Sequence, residues 1–225
     1  MNKITKLILG MPKTIYYNFM IFDAKTAMHL PLIVAPKVKI RNPKHGRIRI
    51  NGNPRFGLLT IGMWDGSDYL GMGKYTTIEV NDDACFCIDG HVSIASGSHI
   101  FLGEKAELRI GSGFKGNYGL HIVCRKKITL GNDVLVSWNC TILDSDGHEI
   151  FNKVGMRVNA DKDVNVGNHV WIGADVTILK GSHICDECVI GSNSVVHQKC
   201  DDSNSVYITD SKMRIVSKDD INWKI

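Results

Sequence analysis

Residues 164–196 read VNVGNHVWIGADVTILKGSHICDECVIGSNSVV, and their spacing decides the fold. Val166, Ile172, Ile178, Ile184, Ile190 and Val196 follow one another at six-residue steps. Two positions ahead of each stands a second series, Val164, Val170, Val176, Ser182, Cys188 and Ser194, mostly small or β-branched. Glycine follows the aliphatic at Gly167, Gly173 and Gly191. A helix repeats at about 3.6 residues and a plain strand at about two, so neither yields this period. A short strand, a glycine-eased corner and another short strand do. The stretch therefore predicts a β-solenoid whose rungs bury one aliphatic per strand against the rungs above and below.

Working outward, the same grammar appears less strictly. Val38–Ile40, Ile48–Ile50, Ile78–Val80, Phe86–Ile88, Val92–Ile94, Ile100–Leu102 and Leu108–Ile110 pair apolar residues two apart between Gly, Asn or Asp, as strands between turns do. Their spacing drifts between six and eight, which places small insertions at the corners. The Gly-rich run from Asn51 to Tyr75 is irregular and is expected to decorate the rod. Order returns at Ile128–Leu130, Val134–Val136 and Cys140–Ile142. It lapses again over 143–163, a polar stretch inside a strict lattice, and such an excursion is usually functional or disordered. Beyond Val196 a polar Asp202 falls where the next aliphatic is due, so the ladder is expected to stop there. Val206, Tyr207 and Ile208 form a short extended strand before a tail, 209–225.

Residues 1–30 differ. Ile4, Leu7, Ile8, Ile15, Phe19 and Phe22 fall at helical spacing among Lys3, Lys6 and Lys13. One reading is a helical cap closing the solenoid's open end. The other is a basic amphipathic surface that approaches a membrane or a lipid-linked substrate. The apolar run ending at Pro12 is too short to span a bilayer and lacks a cleavage site. The 225 residues thus divide into a cap (1–30), a solenoid (31–208) and a tail (209–225). A formal net charge of +4 without basic runs argues against nucleic acid. Seven scattered Cys argue for a reduced, cytoplasmic protein. Cys188 sits in the inward series and Cys185 at a corner, so convergence with Cys85 and Cys87 on one ion is not expected. The nearest histidines, His91 and His99, are eight residues apart, and no metal is expected.

The stretch at 164–196 resembles the hexapeptide-repeat acyltransferases. The resemblance implies an all-β fold, a left-handed parallel β-helix with eighteen residues per coil, so that Val166 stacks on Ile184, Ile172 on Ile190 and Ile178 on Val196. Within that family the chain resembles bacterial sugar and polysaccharide O-acetyltransferases, which place a catalytic histidine about two dozen residues before a Trp-Ile-Gly rung. His148, in DSDGHEI, precedes Trp171-Ile172-Gly173 by 23 residues, with Glu149 where proline is frequent. A histidine suits the task, since its pKa lies near neutrality. Asn117 matches an Asn that orients the acceptor or steadies the oxyanion; a corner asparagine in a left-handed turn fits its position equally well. Asp144 and Asp146 are candidates to hold the other ring nitrogen of His148 or to touch substrate, or else turn formers.

The resemblance further implies acetyl-CoA as acyl donor, contacted by Trp171 and Ala174, with Gly191, Ser192, His197 and Lys199 near its phosphates. It implies a homotrimer with active sites between subunits. Thr209-Asp210-Ser211 stands where the family commonly has a Gly-x-Pro turn, which removes one expected coenzyme contact. The expected activity is acetyl transfer to a hydroxyl of a sugar in a surface polysaccharide or its precursor. An N-acetyltransferase acting on an amino nucleotide-sugar and a non-catalytic assembly module are the alternatives.

Overall fold

The computed structural model describes residues 2–64 and 74–209, together with the backbone of residues 222 and 223. Every third strand in sequence pairs in parallel, which winds the chain around three sheets. The first sheet begins with Leu32–Val34 and Leu59–Ile61 and ends with Val189–Ile190 and Val206–Tyr207. The second runs from Val38–Arg41 to Val195–Val196, and the third from Ile48–Ile50 to Lys199–Cys200. Both six-step series point inward: Val164, Val170, Val176, Ile172, Ile178, Ile184 and Ile190 are all essentially inaccessible. At about 1.5–3 kcal/mol for each buried aliphatic, such a ladder holds the rod together.

Strand register gives the coil length directly. Ile172 pairs with Ile190, Val166 with Ile184 and Ile178 with Val196, the eighteen-residue coil expected. Earlier coils are longer: Ile78 lies opposite Ile100 and Ile100 opposite Ile122, 22 residues each. Ile122 then lies opposite Ile142 at a step of 20. The insertions inferred from the drifting spacing are therefore real, and they shrink along the rod.

Two readings need correcting. The run from Asn51 to Tyr75 is not all decoration, since Leu59–Ile61 is a full strand of the first sheet with Leu59 and Ile61 completely buried; its residues 65–73 lie outside the described ones. Nor does the ladder stop at Asp202. Cys200 stacks on Ile184 and Tyr207 on Ile190, because shortened corners bring the next apolar residue into place. Met213, Ile215 and Val216 in the tail lie outside the described residues.

The corner chemistry is also more specific than a glycine that eases a bend. A Cβ on Gly131 would come within 2.5 Å of the Gly167 carbonyl oxygen, and one on Gly111 within 2.5 Å of Gly131. Those glycines serve the close stacking of successive corners. The left-handed backbone lies two residues further on, at Asp133, His169, Asp175 and Asn193, with φ between 52° and 60°. Asn132, Asn168 and Asp186 bind these corners together, each side-chain oxygen accepting from a backbone N–H one coil below (2.9, 2.9 and 2.7 Å).

The N-terminal helix, α1 (Lys3–Ile21), is capped by the Asn2 side chain, which accepts from the Thr5 N–H. It covers the open edge of the first sheet with polar groups. Asn18 donates to the Leu32 carbonyl at 2.7 Å and accepts from the Leu32 N–H, while the Thr14 hydroxyl accepts from the Val34 N–H at 3.1 Å. A sheet edge left bare would invite pairing with another chain. Gly10 allows the approach, since a Cβ there would meet the Val34 carbonyl at 2.2 Å. The helical spacing of Ile4, Ile8, Ile15 and Phe19 is borne out, but these residues face outward, not into the rod.

Candidate active site

His148 sits in the excursion, which leaves the second sheet after Thr141–Leu143 and rejoins the third at Val164–Val166. Ile142 and Ile178 are register partners across it, 36 residues apart, so the loop adds the equivalent of one coil without breaking the stack. The loop is built as a hairpin: Ile150–Phe151 turns through Asn152–Met156 and returns, with the Val158 N–H donating to the Ile150 carbonyl. Backbone residues Asn222–Trp223 pair antiparallel with its outer strand.

Asn159 knots this loop. Its amide donates to the His148 carbonyl at 2.7 Å and to Asp146 at 2.8 Å, and its oxygen accepts from the Ile150 N–H at 2.7 Å. Lys180, on the rod, reaches across to Asp146 (2.6 Å) and the Asn159 carbonyl (3.0 Å). Partial burial works to raise the Asp146 carboxyl, but Lys180 and Asn159, with Arg157 further off, hold it below its ordinary value. The backbone on both sides of His148 is therefore tied down while its side chain stands exposed. Asn159 and Lys180 were not singled out in the sequence; an amide eleven residues from a histidine and a corner lysine carry no spacing signal.

Asp144 and Asp146 do not support the ring of His148. Asp144 is fully buried and turned toward the coil below, where it accepts from the Arg125 and Lys126 N–H groups (2.7 and 2.8 Å) and the Cys124 thiol. That occupation also removes it as a substrate contact. Asp146 is held by Lys180 and Asn159 instead.

Asn117 lies at the corner between the first and second sheets, its N–H donating to the Val136 carbonyl and its carbonyl accepting from the Ser98 hydroxyl. Beside it opens a polar hollow of about 290 Å³ lined by Lys74, His99, Tyr118, His121, Asn139 and Thr141 among others. Here the 22-residue coils bring together two histidines that the sequence separates: the rings of His99 and His121 stand 5.2 Å apart, edge to face. Burial, then the neighbouring His99, pushes His121 below its ordinary pKa. The Thr77 hydroxyl bonds the His99 ring at 2.6 Å. Asn117 and His148 are at opposite ends of the second sheet. The strand between the two corners, His121–Cys124, spans four residues, or roughly 13 Å at about 3.3 Å each.

The residues assigned to the acyl donor separate into two groups. Trp171, Ala174, Gly191 and Ser192 share the first corner column, and the Trp171 indole donates to the Ser137 hydroxyl at 3.1 Å while half of the residue remains exposed. The Ala174 N–H is already taken by the Ser192 hydroxyl (3.1 Å), and Gly191 is covered by Ile208. His197 and Lys199 lie a full side of the triangle away, beyond Val195–Val196 and on the third sheet, because six residues advance the chain by one side. They cannot join the Trp171 column within one chain.

The cysteine pairs also stay apart. Cys85 and Cys87 face outward on the third sheet with sulfurs 3.0 Å from each other, and four strand steps, about 19 Å, separate Cys87 from His183. His183, Cys185 and Asp201 bring three potential ligand atoms within 4.8 Å of one another, a grouping hidden by the shortened last corner.

Parts of the chain match known proteins. Residues 163–198 match the family described as bacterial transferase hexapeptide (six repeats). The chain is 34% identical over 100 residues to the galactoside O-acetyltransferase of Escherichia coli (strain K12), covering 43% of this chain and 48% of that protein. It is 43% identical over 67 residues to the polysialic acid O-acetyltransferase of Neisseria meningitidis, covering 29% and 31%. Less than half the length of either relative is spanned. A crystal structure of the polysialic acid O-acetyltransferase OatWY aligns over 80% of this chain and 93% of its own, at 23% identity and a TM-score of 0.47.

Proposed function

We propose, from the transferase hexapeptide repeat at residues 163–198, that the protein moves acetyl from acetyl-CoA to a hydroxyl of a sugar in a surface polysaccharide or its precursor. The observation that carries this reading is the excursion at residues 143–163, which is pinned by Asn159 and Lys180 and presents an exposed imidazole, His148. The acceptor hydroxyl attacks the thioester carbonyl while His148 takes its proton. Asn117 donates to the oxyanion of the tetrahedral intermediate. As the carbon–sulfur bond breaks, the imidazolium returns the proton to the departing thiolate. The hollow beside Asn117, with its hydroxyl, amide and imidazole groups, offers sugar-like partners.

One chain keeps His148 and Asn117 at opposite ends of the second sheet, so the reading requires a second copy. An outward apolar row on the first sheet favours one: Leu135, Trp171, Val189 and Val206 are register neighbours, and Trp171 and Val206 are 51% and 71% exposed. Large apolar side chains in a row mark an interaction surface. We take the assembly to be a trimer with His148 of one copy facing Asn117 of the next.

The test is release of free thiol from acetyl-CoA in the presence of sugar acceptors, with the product bond identified as ester or amide. His148→Ala is expected to lower turnover by roughly 10²–10⁴-fold with the fold intact. Near-normal acetylation by that variant removes the assignment, and an amide product removes the O-linkage.

A further inference from the structure

The outer face of α1 is apolar and exposed. Ile4, Ile8, Ile15 and Phe19 form one stripe; Leu9, Tyr16 and Met20 form a second beside it. Their exposures run from 41% to 70%, along a helix about 28 Å long at about 1.5 Å per residue. The face against the rod is mixed: Thr14 and Asn18 are spent on the sheet edge, while Tyr17 and Ile21 join the core. The buried side of the helix thus already has its apolar residues, and the outward stripes are an additional apolar face that a cap alone does not need.

Charge supplies a second, independent observation. Residues 1–64 contain eleven Lys and Arg against one acid, Asp23, whereas residues 65–225 contain sixteen basic and 22 acidic residues. A nearly neutral protein thus has a strongly basic pole and an acidic remainder. Ion pairs soften the pole only in part: Glu79 meets Arg41, and Asp82 meets Lys44 and Arg47. At the N-terminal end of α1 a cleft of about 820 Å³ continues the pattern, with Ile4, Phe56 and Trp64 beside Lys3 and Lys115.

We infer that this pole lies on an anionic lipid bilayer, with the outer face of α1 sunk to the depth of the acyl boundary and the surrounding lysines and arginines among the head groups. Both components are those of interfacial helices, apolar area plus attraction to anionic lipid. A spanning role is excluded for α1, since no helix among the described residues is long and apolar enough to cross a membrane. A second copy is the poorer occupant, because like poles with an excess of positive charge repel on approach. The surface stands whether or not the chain transfers acetyl.

The experiment is co-sedimentation of the full chain with vesicles of phosphatidylcholine alone or with one third phosphatidylglycerol, at low and high salt, alongside measurement of oligomeric mass. Binding is expected to the anionic vesicles only and to weaken with salt. In Ile8→Glu/Phe19→Glu it should fall at least about tenfold with the mass unchanged. If that variant fails to fold, Ile8→Ser/Phe19→Ser is read in its place. Absence of binding to anionic vesicles, equal binding by the variant, or a variant that changes oligomeric mass would each overturn the inference.

Discussion

Asp144 and Asp146 are two residues apart and do opposite work. The first is buried and holds the corner beneath it through two backbone N–H groups; the second faces outward and ties the His148 loop to Lys180. Because the Asp146 carboxyl is held below its ordinary value of 3.8, the tie is present above that value and is lost as pH falls through the lowered one. Hydrogen exchange over residues 144–161 is therefore expected to stay slow from neutral pH down to the ordinary carboxylate range and to quicken below it, before the rod itself opens. Lys180→Met should show the loosened loop already at neutral pH, with rod protection unchanged. Identical exchange in variant and wild type would mean that the loop is ordered without this tie.

At the scale of corners and coils, glycine and left-handed residues have separate roles that one substitution each can distinguish. Gly131→Ala puts a methyl against the Gly167 carbonyl and should destabilise the rod by about 1–3 kcal/mol, the range for overpacking. Asp133→Gly, at φ 54°, relieves backbone strain while loosening the unfolded chain, and thermal melting should move by no more than the equivalent of about 0.5 kcal/mol. The same scale explains what could be read from the sequence. Between Val164 and Val196 the step is six and the coil eighteen, so every buried aliphatic and every stacking partner was legible. From Ile78 to Ile142, two to four extra corner residues per coil shift the phase, and the coils before them are longer still. Strands such as Val92–Ile94 were still visible as apolar pairs, but their partners were not, and the meeting of His99 with His121 stayed hidden. Helical spacing in α1 revealed the helix and not its orientation, because that depended on Thr14 and Asn18 finding a bare sheet edge. His148 was legible as an interruption of the lattice; Asn159 and Lys180 were not, since hydrogen bonds across a loop leave no period.

For the whole molecule, the separation of His148 from Asn117 makes the proposed active site a property of the assembly. The strand His121–Cys124 lies between the corner of Asn117 and the end of the sheet from which the His148 loop leaves, which favours the two groups meeting across copies. A cyclic trimer solves this by repeating one head-to-tail contact three times, each contact joining a histidine from one copy to an asparagine from the next. Asn117→Ala is expected to cost about 10²–10³-fold in turnover if its amide faces the oxyanion, so each single variant is nearly silent. Co-expression of His148→Ala chains with Asn117→Ala chains should then restore activity, because some contacts pair an intact histidine with an intact asparagine. Random mixing in equal amounts gives about one quarter of the contacts that composition. If both groups serve the same site from the same chain, no mixture regains any activity, and the recovered fraction of wild-type turnover decides between the two arrangements.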